Sequence, residues 1–194
     1  TDRLLAMSWL EGENLLSVKG AAQKKRDEVA QNLFRAWYVP FYHYGVIHGD
    51  PHLGNYSVRP DGTINLLDFG CIRVFGPSFV QGVLDLYNSL LNNDADLAVH
   101  AYETWGFAGL SNELIDVLNI WAQFIYGPLL DDRVRTIADG ISPGQYGRKQ
   151  AFQVHKELKE KGPVTVPREF VFMDRAAIGL GGVFLHLDAK LNFY

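Results

Sequence analysis

Apolar positions near the start of the chain indicate one short strand and one long helix. Residues 4–9 form a mostly apolar run that predicts a strand, and Glu11-Gly12 follow it as a turn. From about residue 22 to 45, apolar side chains recur at helical spacing. Pro40 is expected to kink or end this helix, because proline lacks the amide hydrogen of an interior turn. The buried face is predicted to contain Val29, Leu33, Trp37 and Phe41.

A polar loop and a β-hairpin follow this helix. Residues 48–55 are mostly polar, whereas residues 56–59 and 63–67 are rich in side chains that favour strands. The Pro-Asp-Gly segment at residues 60–62 suits a tight turn between the two strands. We therefore expect a hairpin that begins directly after the polar loop and brings the chain back to it.

The rest of the chain is predicted to be helical. Pro77 suits the first turn of a helix, and the side chain of Asp94 is expected to cap the next one. Glycines at 179, 181 and 182 are poor helix formers, so we expect close backbone packing at a buried crossing there. Further helices are predicted from about Leu114 to Ile125 with an end at Gly127-Pro128, from Pro143 to near Gly162, and from Pro167 to about Ala189. The fold class is therefore mainly α (α+β), a helical bundle with a small β-hairpin that carries the polar loop.

Composition narrows the class of protein further. The 194 residues carry a net charge of −4, with 47% hydrophobic and 21% charged residues, which is enough for one sizeable core and excludes a disordered chain. The acidic balance argues against a nucleic-acid-binding domain. A single cysteine, Cys71, excludes an internal disulfide and favours a reducing compartment; we expect it to be a small buried residue. No apolar run is expected to reach the roughly 20 residues of a membrane-spanning helix.

Three oxygen-bearing side chains stand in an order that predicts chemistry. Asp50 and Asn55 are five positions apart in the polar loop, and Asp68 follows at the end of the hairpin. Because a hairpin returns the chain to its starting point, Asn55 and Asp68 are expected to lie side by side. Hard oxygen ligands of this kind suit Mg²⁺, while Asp50 would orient an attacking hydroxyl or accept its proton. The pattern H-x-D-x-x-x-x-N, a hairpin and then D-F-G is that of a kinase catalytic loop and magnesium loop.

Other interpretations of this loop remain open. Asp and Asn in loops often only cap turns through backbone hydrogen bonds. The alternating His48, Asp50 and His52 would also suit a Zn²⁺ site, although no later histidine cluster supports one. His48 is also interpreted as a buried structural histidine whose ring bonds the loop backbone. His52 is expected either to be structural or to contact phosphate.

The motifs resemble those of the UbiB/AarF/ADCK family of atypical protein-kinase-like proteins. The chain reads HGDPHLGN at residues 48–55, LDFG at 67–70, MSWLEG at 7–12 and FMDRAAIGLG at 172–181. The Asp-Pro-His of the loop is typical of that family, and residues 7–12 resemble the hinge that follows the N-lobe. Leu53 stands where the family often has proline. The resemblance covers essentially the whole chain.

The resemblance implies a kinase-like C-lobe that binds ATP and Mg²⁺. Residues 1–13 would be a hinge-like segment and residues 14–194 the C-lobe, with the N-lobe and its Gly-rich strands absent from this chain. Alone, the chain is expected to bind nucleotide weakly. The implied site consists of catalytic Asp50 and His48, the metal ligands Asn55 and Asp68, and nucleotide contacts at Asn55, Asp68, Phe69, Gly70, Met7 and Trp9.

The same resemblance implies a biological setting. The family is associated with ubiquinone and other isoprenoid-quinone lipids, so a lipid or quinone-precursor substrate, peripheral membrane contact or quinone-biosynthesis enzyme partners are expected. Nucleic acid is not expected as a partner. The expected location is the cytoplasm or the reducing interior of an organelle. The alternatives are a small-molecule phosphotransferase of the aminoglycoside or choline kinase type, and a regulatory pseudokinase that binds nucleotide as a scaffold.

Overall fold

The fold is mainly helical, as the sequence predicts, but the described residues contain three small antiparallel sheets where the sequence predicts a single hairpin. The structure, a computed structural model, describes residues 3–4, 6–139, 147–161 and 166–194. The helices are α1 Gln23–Tyr44, α2 Pro77–Asn92, α3 Ala95–Thr104, α4 Asn112–Tyr126, α5 Arg148–Lys161 and α6 Arg168–Leu187. The strands are β1 Glu13–Asn14, β2 Val46–His48, β3 Tyr56–Val58, β4 Ile64–Leu66, β5 Ile72–Val74, β6 Val134–Arg135 and β7 Leu191–Asn192.

Helix α1 has the buried face that its apolar spacing predicts. The four residues of that face are at most 3% exposed: Val29, Leu33, Trp37 and Phe41. Of the two outcomes expected at Pro40, the helix does not end there, because α1 continues to Tyr44. Pro40 has no amide hydrogen to donate to the helix, but burial of the neighbouring Phe41 side chain stabilises the helix beyond it. The helix ends instead at Gly45, whose φ of 66° is a left-handed conformation that glycine adopts without strain.

The predicted strand over residues 4–9 is not present in the structure. Within the described part of that run no strand pairing occurs, and Met7 and Trp9 are 77% and 85% exposed. A strand needs a paired backbone, and such pairing starts only at β1, where Glu13 lies opposite Val58. Apolar composition alone was therefore a misleading signal in this segment.

The hairpin is confirmed and forms the centre of a three-stranded sheet. Strands β3 and β4 pair antiparallel, with Tyr56 opposite Leu66 and Val58 opposite Ile64, and β1 adds to the free edge of β3. A second pair, β2 with β5, was not predicted. Together the two sheets bring the polar loop before the hairpin and the Asp68 loop after it to the same place.

The helices after the hairpin begin close to where the sequence predicts. Pro77 opens α2, and the Asp94 carboxylate accepts a hydrogen bond from the backbone of Leu97 at 3.0 Å to cap α3. Helix α4 ends before Gly127, as expected. Helix α5 corresponds to the predicted polar helix, whose expected limits at Pro143 and Gly162 lie outside the described residues.

Helix α6 makes the close contact predicted for its glycines at Gly179, whereas the space around Gly182 is open. A side chain added to Gly179 would approach Pro51 Cγ to 2.8 Å, so α6 lies directly against the polar loop. The expectation of no membrane-length apolar helix needs a correction, because α6 has the length and hydropathy of a span. The resemblance of α6 to a membrane span rests on length and composition only, and core helices of globular proteins have the same two properties. In this fold α6 packs its buried face, including Leu180 and Phe184, into the core.

Candidate active site

The site begins with two loops that backbone hydrogen bonds hold together. Strand β2 leads into the loop of Asp50, and β5 leaves the loop of Asp68; His48 lies opposite Ile72 in this pair. One residue further on, the Gly49 amide donates to the Cys71 carbonyl at 2.8 Å. On the other side, the Leu67 amide donates to the Asn55 carbonyl at 2.8 Å. The two loops are therefore joined on both sides by main-chain contacts.

Gly49 explains a departure from the kinase pattern, which has arginine at this position. A Cβ on Gly49 would lie 2.6 Å from the Cys71 carbonyl oxygen, a separation that side chains do not tolerate. Because Gly49 has no side chain, the loop of Asp50 can lie directly against the backbone that follows Asp68. The expectation that Cys71 is buried is wrong, because its side chain is exposed.

Asp50 and Asn55 are brought together by the polar loop. The Asn55 amide nitrogen donates to the Asp50 carboxylate at 3.1 Å and to the Asp50 backbone carbonyl at 3.0 Å. These bonds fix the orientation of the amide, so its Oδ1 atom is left as an acceptor with no hydrogen-bond partner among the described residues. Asn55 thus orients the Asp50 carboxylate and presents a free oxygen.

Asp68 adopts an uncommon backbone conformation. Its φ of 55° lies in the left-handed region, which Asp tolerates better than most residues. The Oδ1 atom of Asp68 accepts a hydrogen bond from the Gly70 amide at 3.1 Å, and no described donor bonds Oδ2. This local bond caps the 3-10 turn of residues 69–71 and holds the carboxylate at the end of the hairpin.

His48 lies behind the loops, as the structural interpretation of this residue predicts. It is 5% exposed, and its Nε2 atom contacts the carbonyl oxygens of Leu67 and Asp68 at 3.2 and 2.9 Å. Because carbonyls only accept, Nε2 carries the hydrogen and donates it. The Trp37 indole donates in turn to the His48 carbonyl at 3.2 Å. His48 therefore positions the backbone of Asp68 and does not face the open side of the site.

Tyr56 connects this buried layer to the polar loop. Its ring is 2% exposed and lies 5.8 Å from the His48 ring, centroid to centroid. Burial, and secondarily the negative charge of Asp50, raise the pKa of the Tyr56 hydroxyl. Tyr56 therefore stays protonated and supports the loop as a neutral side chain.

The other residues predicted to contact the nucleotide differ in how close they lie to the Asp50 and Asp68 loops. Phe69 is 62% exposed and its ring makes a T-shaped contact with the His48 ring, with centroids 6.3 Å apart. The Gly70 amide donates its hydrogen bond to Asp68. Met7 and Trp9 lie exposed in the segment before β1, and no described hydrogen bond or ring contact joins them to the Asp50 and Asp68 loops. Their part in binding a cofactor stays a prediction, and so does the domain boundary at residue 13.

The zinc alternative finds no support in the geometry. His52 Nδ1 accepts a hydrogen bond from the Gly54 amide at 3.1 Å, so this ring caps a turn. The His48 ring faces the carbonyls of the other loop. Within the residues that the structure describes, no three His, Cys, Asp or Glu side chains form a group that could hold a metal ion.

Sequence reasoning missed three contacts around the site. It expected close packing at Gly179 but not the partner, Pro51. It did not foresee that the Trp121 indole donates a hydrogen bond to Asp174, or that Arg73 stacks on the Phe172 ring at 4.4 Å. Each contact joins residues far apart in the chain, and no local pattern marks such pairs.

Comparison with known proteins identifies the class to which this chain belongs, the atypical kinase-like proteins. Residues 1–102 match the ABC1 atypical kinase-like domain. Protein ACTIVITY OF BC1 COMPLEX KINASE 1, chloroplastic, from Arabidopsis thaliana is 22% identical over 198 residues, covering 98% of this chain and 27% of that protein. AarF domain-containing kinase 1 from Drosophila melanogaster is 24% identical, covering 77% of this chain and 28% of that protein. The chain therefore belongs to the ABC1 family, also known as UbiB/AarF/ADCK, and spans less than a third of these relatives' length.

A solved structure supports the fold. The complex of Rv3197 with erythromycin from Mycobacterium tuberculosis matches with a TM-score of 0.62 and 21% sequence identity. The match covers 95% of this chain and 46% of the other. At this level of identity the likeness establishes the shared fold.

Proposed function

We propose that this chain carries the catalytic and metal-binding half of an ATP- and Mg²⁺-dependent atypical kinase or ATPase. The observation that carries the proposal is the joining of two loops, which gathers Asp50, Asn55 and Asp68 at one end of the hairpin. Membership of an atypical kinase-like family supports the same conclusion.

The free oxygens at the site suit a magnesium ion. Asn55 Oδ1 and the Asp68 oxygen that does not bind Gly70 would be its protein ligands, and both are hard oxygen donors. When bound, Mg²⁺ would neutralise charge on the nucleotide phosphates. Asp50, held by the Asn55 amide, would orient the acceptor hydroxyl and accept its proton. His48 would act as a positioning residue, because its ring holds the Asp68 backbone from behind.

The nucleotide would extend from this end of the hairpin towards the start of the chain. Phe69 and Gly70 lie beside Asp68, and the exposed Met7 and Trp9 would contact the base in a hinge-like segment. In this proposal residues 14–194 are a C-lobe, and the strands that cover the phosphates belong to an N-lobe outside this chain.

The acceptor is proposed to be a small molecule. The Mycobacterium tuberculosis relative was solved in complex with erythromycin, a small molecule. A link to isoprenoid-quinone lipid synthesis, with a lipid or quinone-precursor substrate and partners at a membrane surface, follows from the family resemblance. Chloroplastic relatives support a place in the interior of an organelle.

Thermal unfolding of the full-length protein with and without Mg-ATP tests the proposal. We expect Mg-ATP to raise the midpoint for the wild type and not for Asp68→Asn, because the amide lacks the charge that holds the metal. Asp116→Asn, an exposed carboxylate on α4, is the matched control and should keep the shift. A wild type without any shift would favour a scaffold function. A shift that survives Asp68→Asn would refute this metal ligand.

A further inference from the structure

Two arginines from distant parts of the chain stack on one phenylalanine ring. The guanidinium carbon of Arg73, on β5, lies 4.4 Å from the centroid of the Phe172 ring. That of Arg168, at the start of α6, lies 5.3 Å from the same centroid. Both distances are within cation–π range, so a single ring holds two like charges within about 10 Å of each other.

Neither arginine has a carboxylate partner in the described part of the chain. The ion pairs found there involve other residues. Glu169, directly after Arg168, makes no ion pair with either arginine, and among the acidic residues only Asp2 falls outside the described part. Two neighbouring cations without a counter-ion repel each other, so binding of an anion between them is favourable.

This basic pair lies beside the proposed catalytic loop. Gly179 and Phe172 are seven residues apart on α6 and therefore share one face of the helix, about 10 Å from each other along its axis. Gly179 packs on Pro51, the residue after Asp50, and the Arg73 Cγ atom is 3.5 Å from where a Gly49 Cβ would lie. Of the two residues that flank Asp50, Pro51 thus packs on α6 and Gly49 lies close to Arg73.

A third arginine extends the basic surface towards the loop. Arg175 follows Phe172 by three positions and precedes Gly179 by four, which places it on the same face of α6. It is exposed and has no hydrogen-bond or ion-pair partner among the described residues. Arg168 and Arg175 on α6 therefore join Arg73 on β5 in one basic group, and Arg73 lies beside the catalytic loop.

We propose that Arg73 and Arg168, continued by Arg175, bind a phosphate group of the acceptor substrate. Guanidinium groups bind phosphate through paired, charge-assisted hydrogen bonds, which makes arginine well suited to this role. The inference rests on the proposed kinase function, because it assigns the acceptor whose hydroxyl approaches Asp50. The acceptor class is a phosphorylated small molecule whose phosphate binds these arginines while its hydroxyl reaches Asp50.

Calorimetric titration of the full-length protein with inorganic pyrophosphate tests this site without nucleotide or metal. The buffer contains EDTA, so that Asn55 and Asp68 cannot hold phosphate through Mg²⁺. We expect binding to the wild type, weakened about tenfold in Arg168→Gln, whose side chain is exposed and whose loss leaves the core intact. Arg73→Gln should weaken binding similarly. Arg35→Gln, an exposed arginine on α1, removes the same charge elsewhere and should change affinity less than twofold.

Two further results decide the identity of the site. Pyrophosphate binding should persist when Mg-ADP saturates the nucleotide site; competition between the two would assign these arginines to the nucleotide and overturn the proposal. Absence of binding, or equal affinity in the wild type and in Arg168→Gln, would also overturn it. Because no metal or nucleotide is present in the first titration, its failure is distinct from a failure of the Mg-ATP shift.

Discussion

The buried carboxyl group of Asp174 predicts a specific dependence of stability on pH. Asp174 lies on α6 in the wall of a largely aromatic cavity of about 60 Å³ and accepts a hydrogen bond from the Trp121 indole. Burial raises its pKa from 3.8 to about 7, against a smaller opposing effect of the Trp121 hydrogen bond. The folded protein therefore keeps the proton of Asp174 over a pH range in which the unfolded chain has lost it.

Proton linkage gives the sign and the size of the pH dependence that Asp174 adds to the free energy of unfolding. A group whose pKa is raised on folding stabilises the native state below its unfolded pKa, and this stabilisation is lost as pH rises through the folded pKa. Each pKa unit corresponds to about 1.4 kcal/mol. Between pH 5 and pH 8, the contribution of Asp174 to the free energy of unfolding should fall by about 2.5 kcal/mol.

The substitution Asp174→Asn isolates this contribution. Asparagine keeps the shape and the acceptor for Trp121 but cannot ionise. Relative to the wild type, the free energy of unfolding of Asp174→Asn should therefore rise by about 2.5 kcal/mol from pH 5 to pH 8. Urea unfolding followed by circular dichroism at both pH values measures the difference. Asp116→Asn, on the same helix as Trp121, is the control and should follow the wild type.

One result would refute this reasoning. If the difference in unfolding free energy between Asp174→Asn and the wild type is the same at pH 5 and pH 8, Asp174 does not hold its proton on folding. The cavity around it would then be open enough for water to solvate the carboxylate.

Two glycine substitutions test the contacts that shape the loops. Gly179→Ala places a methyl group 2.8 Å from Pro51 and should destabilise the fold by about 1–3 kcal/mol in urea unfolding, whereas Gly182→Ala, with open space around it, should be neutral or stabilise. Equal changes in stability for Gly179→Ala and Gly182→Ala would show that α6 does not pack closely against Pro51. Gly49→Ala should destabilise and weaken the Mg-ATP shift, since its Cβ would meet the Cys71 carbonyl at 2.6 Å; an unchanged shift would contradict the joining of the two loops there.

The helices were predictable because their signals are local. The apolar face of α1, the proline that opens α2 and the Asp94 cap of α3 each depend on a few neighbouring residues. Pro40 shows the limit of such signals, because the packing of Phe41 outweighs the local preference. Strands β3 and β4 are marked by the Pro-Asp-Gly turn between them, whereas no turn directly links β2 and β5, which pair only across the hairpin.

The grouping of Asp50, Asn55 and Asp68 was predictable from their order in the sequence, but the contacts that other segments make with their loops were not. A hairpin between Asn55 and Asp68 is enough to predict that the two loops meet, and the Leu67 bond to Asn55 follows from it. The packing of α6 on Pro51 and the stacking of Arg168 on Phe172 depend on how a distant helix lies against the loop. Such packing is a property of the whole core, and no single segment of sequence contains it.

The most direct test of the account is a double-mutant cycle on Mg-ATP binding. In the proposed site, Asn55 and Asp68 bind one Mg²⁺ that carries the nucleotide. Dissociation constants would be measured with full-length wild type, Asn55→Ala, Asp68→Asn and the double variant, with Mg²⁺ and with EDTA. We predict that each single substitution abolishes most of the Mg²⁺-dependent affinity and that the double variant binds no more weakly than either, because both remove the same ion. Independent, additive losses, or ATP affinity equal with and without Mg²⁺, would contradict the central claim.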